Sequence, residues 1–225
     1  LEFNAVERDT LGENIPTPVS FESDSWATIA ANVKSGNTSK YNVGDTKEVD
    51  LGELGKHTVR ISNMSACESE TSETACGFVV EFADIITNQK FNSTNTNVGG
   101  WRDSELRTYV NGTIYNALPS DLQNVISTTK VISGHGKTSG ETNFETQDKL
   151  YLLNAQEVWN GNLFDTSVGT SRQLDYYKKV LKDIGELDAG DIVKVIEATG
   201  MKIENAKALQ EVLRTKAIDY AVIKG

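Results

Sequence analysis

Cys67 and Cys76 are the only two cysteines among the 225 residues, and His57 and His135 are the only two histidines. The cysteines bracket Glu68-Ser-Glu-Thr-Ser-Glu-Thr-Ala75, a polar and flexible stretch. Such a loop closes readily, and a crosslink across it is worth about 2–3 kcal/mol by the chain-entropy estimate. One cysteine pair and no others fits an oxidising, extracellular setting, whereas two reduced thiols would fit the cytosol. The four side chains together also make up a Cys2His2 set for zinc, but their spacing matches no paired-knuckle pattern. If the cysteines are joined, neither histidine has a thiolate nucleophile to activate. No Gly-x-Ser-x-Gly elbow occurs for a serine nucleophile.

Gly134-His-Gly-Lys-Thr-Ser-Gly140 contains Gly-Lys-Thr and invites a phosphate-loop reading. That motif needs a glycine five positions before Gly136, where Val131 stands, and a helix whose N-terminal amides face the phosphate. A glycine-rich surface turn is the better account. Asn92-Ser-Thr-Asn-Thr-Asn97 offers oxygens for calcium, but no carboxylate at ligand spacing. Glu68, Glu70 and Glu73 read as a solvated acidic loop. No metal and no cofactor is therefore expected. The remaining candidates are aromatic. Trp26 sits on a helix face with Ile29 and Ala30 and reads as core. Trp101 follows two glycines and a polar loop, and an exposed indole there would stack on a sugar ring. The candidate ligand surface is then Trp101 with Asn95, Asn97 and Arg107, on the 88–100 loop and the segment after it.

These residues need elements to position them. Ser23 or Asp24 caps a helix over 25–36, which stops at Gly36. Lys47–Leu51 and His57–Ile61 alternate around Gly52 and Gly55 and form a hairpin. Gly77–Phe82 reads as a buried strand. Residues 87–100 form a long Asn/Thr/Ser loop. A helix follows near 103–112, a second near 113–118, and a third turn from Pro119 through Ile126. Lys130–Ser133 is strand-like, 134–148 another polar loop, Lys149–Leu153 the clearest central strand, and Ala155–Trp159 a short helix. Near residue 175 the composition turns to Lys, Glu, Ile, Val and Ala in helical order. Helices are expected at Asp188–Thr199 and Ile203–Thr215, the latter with Ala206, Leu209, Val212 and Leu213 in an apolar stripe. A closing strand is expected at Ala217–Ile223.

Lys and Arg number 22 against 32 Asp and Glu, a formal charge of −10. With no basic cluster, nucleic acid and anionic lipid are poor partners. No apolar run approaches the roughly 20 residues of a membrane helix. The chain begins at Leu1, and the expectation is an excised or processed form whose targeting segment lies upstream.

From Trp26 to about Lys178 the chain resembles a known family. The resemblance rests on Trp26-Ala-Thr-Ile-Ala30, Tyr41–Val49, Asn95-Thr-Asn-Val-Gly-Gly-Trp-Arg-Asp-Ser-Glu-Leu-Arg107, Asn111 to Leu118-Pro119, Thr146–Leu153 and Arg172-Gln-Leu-Asp-Tyr-Tyr177. The family is an uncharacterised domain of secreted and surface proteins of low-GC Gram-positive gut bacteria. Ala75-Cys76-Gly77 is most similar to its pilin-associated branch. Members of the family usually continue with a Trp-Trp-Leu-Arg-Ser block and end near Gly-Val-Arg-Pro-Ala-Phe, a half resembling the C-type-lectin-like fold. Neither block occurs here, so no site in that half carries over. Residues 193–209 faintly resemble the two-helix stretch of the ribosomal stalk protein's C-terminal domain.

The expectation is an α+β fold, mostly antiparallel sheet with flanking helices and long polar loops. Its organisation is a linker or arm over 1–20, the main domain over 21–178 and a helix–helix–strand tail over 179–225. The expected role is non-enzymatic: an extracellular, cell-surface structural or adhesive module, pilin-like or surface-displayed, whose partners are other surface subunits or glycans. Carbohydrate binding through Trp101 and the 88–100 loop is the first alternative, and a hydrolase the second.

Overall fold

The computed structural model describes residues 15–135, 137–140, 142–158 and 171–185. The first helix, α1 (Trp26–Ser35), begins where the Ser25 side chain accepts the Thr28 N–H, and ends at Gly36 with φ of 76°. Serine satisfies a helix-start amide, and glycine takes the left-handed stop without a Cβ clash. One face of α1 buries Trp26, Ile29 and Asn32. Asn32 is fully buried, and its amide donates to the carbonyls of Pro16 and Thr28 at 2.9 Å each. That bond ties the entering segment to the helix.

Strands β1 (Thr46–Asp50), β2 (Lys56–Asn63) and β3 (Val79–Phe82) form an antiparallel sheet with β2 in the middle. The hairpin register runs from Thr46↔Arg60 to Asp50↔Lys56. The alternation of β1 and β2 buries Val49, Val59 and Ile61 against α1, and Phe21, Tyr41, Leu118 and Leu122 complete the core. Within it the Tyr41 hydroxyl donates to Asp24 at 2.8 Å, and burial with the Asp24 carboxylate pushes its pKa up.

The second half carries α2 (Glu105–Tyr109), a π turn (Val110–Ile114), α3 (Tyr115–Ala117) and α4 (Ser120–Gln123). Strands β4 (Thr129–Ser133) and β5 (Phe144–Asp148) pair antiparallel in a separate two-stranded sheet, in register from Thr129↔Asp148 to Ser133↔Phe144. The short α5 (Ala155–Val158) and the longer α6 (Asp175–Gly185) follow. The class is α+β, with helices and small antiparallel sheets. Among the described residues the strands divide between two sheets instead of sharing one.

Two local expectations need correction. Residues 144–148, which the polar composition of 134–148 places in a loop, form β5, with Phe144, Thr146 and Asp148 buried in alternation. Residues 149–153 were expected as the clearest strand, but they are irregular. The reason is Asn111. Its Oδ1 accepts the N–H groups of Lys149 and Leu150 at 3.0 Å each, and its Nδ2 donates to the Leu150 carbonyl at 2.8 Å. One side chain thus supplies the backbone partners that a neighbouring strand would have supplied. Trp159, the segments 188–199, 203–215 and 217–223, the stalk-like stretch 193–209 and residues 1–14 lie outside the described residues.

Candidate functional site

Three polar constructions organise this half, two of them around a buried acid and one around the disulfide. The first is Asp148, 2% exposed. Its Oδ2 accepts the Trp101 indole N–H at 2.9 Å and the Thr146 hydroxyl at 2.7 Å, and its Oδ1 accepts the Arg107 guanidinium at 2.8 Å. Ser104 caps α2 by accepting the Arg107 N–H at 3.0 Å, which sets the angle at which Arg107 leaves the helix. Next to this, the Arg102 guanidinium lies 3.5 Å over the Phe144 ring. A buried carboxylate is tolerated because every oxygen is met by a donor and one donor is cationic.

The 92–100 loop is moored to this construction at both ends. Asn92 accepts the Glu105 N–H at 3.0 Å, while Ser93 donates to the Glu105 carboxylate from its N–H at 3.0 Å and from its hydroxyl. Those hydrogen bonds hold the Glu105 pKa below its ordinary value. At the far end the Gly99 N–H donates to Thr138 at 2.7 Å. Gly100, at φ of 55°, passes so close to the second polar loop that an added Cβ would stand 2.1 Å from the Gly134 carbonyl oxygen. The Gly-Gly pair is therefore a close-approach device. Between the moorings Asn95, Asn97 and Val98 are exposed.

The second construction surrounds the disulfide. Cys67 and Cys76 are bonded, with their Cα atoms 4.7 Å apart. The expected bridge is present, and it removes the two thiolates that a Cys2His2 zinc site would need. Arg172 donates to the carbonyls of Ala75 at 2.9 Å, Ala66 at 3.0 Å and Ser65 at 3.2 Å. Asp175 accepts the N–H groups of Met64 and Ser65 at 3.0 and 2.8 Å and the Ser65 hydroxyl at 2.8 Å. Desolvation at Asp175 opposes these bonds, but they prevail and its pKa is lowered. The bridged loop is thus latched to the start of α6. On the neighbouring β2, Arg60 pairs with Glu81 at 2.7 Å and stacks 3.9 Å from the Tyr176 ring centroid.

The third construction is Glu157, 1% exposed. Its Oε1 accepts the hydroxyls of Thr74 and, at 2.9 Å, Ser171; its Oε2 accepts the Asn154 N–H at 2.9 Å. Burial raises its pKa against the pull of those donors. It borders a cavity of about 180 Å³ that Trp101 and Ser133 also line. With both carboxyl oxygens engaged, Glu157 joins the disulfide loop to the segment entering α6.

His57 lies between two acceptors, the Asp84 carboxylate at 3.0 Å from Nδ1 and the Leu54 carbonyl at 2.9 Å from Nε2. Both ring nitrogens must donate, so the cation is favoured, and the Leu54 contact is the leading cause of its raised pKa. His135 faces the Thr138 carbonyl at 3.0 Å. Among the described residues no group of three or more His, Cys, Asp or Glu is gathered to hold a metal ion, and no described helix is long and apolar enough to cross a membrane.

The predicted ligand residues separate. Trp101 is 7% exposed with its N–H engaged, so its indole offers no open face for a sugar. Arg107 turns toward Asp148, with its side chain 29% exposed. Asn95 and Asn97 stay on the exposed loop. Sequence reasoning missed Asp148, Glu157, Arg172 and Asp175. The family-like segments Thr146–Leu153 and Arg172–Tyr177 pointed toward Asp148, Arg172 and Asp175, and nothing in the sequence pointed toward Glu157.

An apolar cleft of about 1110 Å³ lies between α1, β3, the 106–126 helices and the 149–153 segment. Ile29, Val33, Val80, Phe82, Ile114 and Leu150 are among its walls. Ile85 and Leu152, 81% and 53% exposed, also line it.

Comparison with protein families matches residues 78–202 to one described as a domain of unknown function (DUF6273). That span takes in β3, the moored loop, β4 and β5, and all of α6. No curated protein matches the chain. No solved structure matches it.

Proposed function

The chain belongs to the DUF6273 family of domains of unknown function, and on that premise we propose that it is a non-enzymatic extracellular module that displays a rigid binding loop. The observation that carries this reading is the Cys67–Cys76 bridge. Disulfides persist in oxidising compartments and are rare in the cytosol. Three carboxylates support the same reading, because the buried Asp148 and Glu157 and the partly buried Asp175 all spend their oxygens on internal donors. The adhesive surface is the 92–98 stretch, where Asn95 and Asn97 present amides from a loop whose ends are fixed. A preorganised loop loses little entropy on binding. Within this class the chain acts as a pilin-like or surface-displayed subunit, a refinement supported by the resemblance of Ala75-Cys76-Gly77 to the pilin-associated branch.

The partners are glycans or other surface subunits. A glycan reading now rests on Asn95 and Asn97, since Trp101 is buried. The test is a glycan and surface-protein array probed with the wild type and with Asn95→Ala/Asn97→Ala. Binding that the double substitution abolishes supports the reading. Binding to nothing on the array, or binding indifferent to the substitutions, overturns it.

A further inference from the structure

We propose that the apolar cleft between α1, β3 and the 149–153 segment is the seat of this chain's own residues 203–213, whose apolar stripe plugs it. The inference is independent of the extracellular reading. A cleft of about 1110 Å³ exceeds the roughly 300–1,000 Å³ usual for small-molecule pockets. Ile85 and Leu152 keep large apolar surface open to water there. Exposed apolar surface grouped around a groove marks an interaction site.

The chain itself supplies the occupant. Tyr177, in the first turns of α6, lines the cleft, and forty residues follow Gly185. The seventeen residues 186–202 span up to about 56 Å when extended. A compact domain of this length has a radius of gyration of about 17 Å, so any part of the cleft is within reach. Tethering at that range holds the segment at roughly millimolar effective concentration, and a weak contact suffices. Ala206, Leu209, Val212 and Leu213 recur at helical spacing, the pattern that lies in a hydrophobic groove. Residues 201–216 carry Lys202, Lys207, Arg214 and Lys216 against Glu204 and Glu211, inside a chain of net charge −10. The charged residues among the cleft walls are Glu73, Glu81 and Asp84 against Lys34 and Lys149, so the acids outnumber the bases there too. The family match ends at residue 202, so the stripe lies just beyond the shared domain.

The test uses the full chain throughout. In Leu209→Glu/Leu213→Glu, amide exchange in 78–86 and 149–153 rises about tenfold or more, and bis-ANS fluorescence increases. Ile85→Glu, an exposed substitution on the cleft wall, has the same effect on exchange and opens residues 201–216 to trypsin. Independently of any variant, a short amine crosslinker joins Lys34 or Lys149 to Lys202 or Lys207 in the unmodified protein. Unchanged exchange and dye binding in both variants would refute the proposal. So would the absence of every such crosslink, or a wild-type dimer that the double substitution turns to monomer, which would seat the stripe in a second copy.

Discussion

Trp101 and Asp148 are 47 residues apart in sequence and meet through a buried 2.9 Å hydrogen bond from the indole nitrogen to the carboxylate. The bond explains why the Asn-x-Asn-x-Gly-Gly-Trp segment and the Thr-Gln-Asp segment belong together. They are two sides of one joint, and Arg107 and Thr146 close it.

Asp148→Ala strands the indole N–H, the Thr146 hydroxyl and part of a guanidinium in a buried site. The expected cost is about 2–4 kcal/mol, below the full penalty for a broken buried pair because Arg107 retains solvent contact. Asp148→Asn keeps one acceptor and loses less. Urea unfolding followed by tryptophan fluorescence measures both. A loss under about 1 kcal/mol for the alanine variant would mean that the joint is not structural.

Gly100→Ala and Gly112→Ala should act in opposite directions. The first drives a Cβ to 2.1 Å from the Gly134 carbonyl at φ of 55°, whereas the second meets nothing within 4 Å. Gly112 lies in the π turn between α2 and α3. The expected outcome is a loss of more than about 2 kcal/mol at Gly100 and a gain of roughly 0.4–1 kcal/mol at Gly112. Paired thermal melts decide it, and equal shifts would contradict the geometry.

Glu157 makes stability depend on pH in a defined direction. Its folded pKa is raised, chiefly by burial. The folded state therefore holds the proton more tightly than the unfolded chain does. The stabilisation from this group is complete below the unfolded carboxyl value and is lost as pH rises toward the folded value. Glu157→Gln does not titrate. Its stability relative to wild type should therefore improve as pH rises through and above the ordinary carboxyl value of 4.5. A pH-independent difference between the two unfolding curves would contradict the buried-acid account.

The disulfide and the Arg172 latch hold the same loop, so they should not act additively. Removing the bridge with Cys67→Ser/Cys76→Ser is expected to cost about 2–3 kcal/mol, with the fold retained. Arg172→Ala should cost more in that background than in the bridged protein, by at least about 0.5 kcal/mol. A double-mutant cycle measures the coupling, and a coupling near zero would show that the latch does not restrain the loop. In the wild type, intact mass should rise by about two hydrogens on reduction.

What the sequence determined by itself was local or nearly so. The α1 helix was legible because the apolar spacing of Trp26 and Ile29 and the stop at Gly36 lie within a dozen residues and act through their own backbone, although the cap is Ser25 and not Ser23 or Asp24. The β1–β2 hairpin was legible because its alternation and its glycine turn are contiguous. The cysteine pair was legible because the eight polar residues between Cys67 and Cys76 close easily. Tertiary structure alone decided that 144–148 is a strand and 149–153 is not, because Asn111 supplies the hydrogen bonds from 38 and 39 residues away. It also decided that Trp101 is buried and that Asp148 and Glu157 are internal acids. An acid is stable in the interior only when donors from distant segments converge on it, and no local pattern of residue types encodes that convergence.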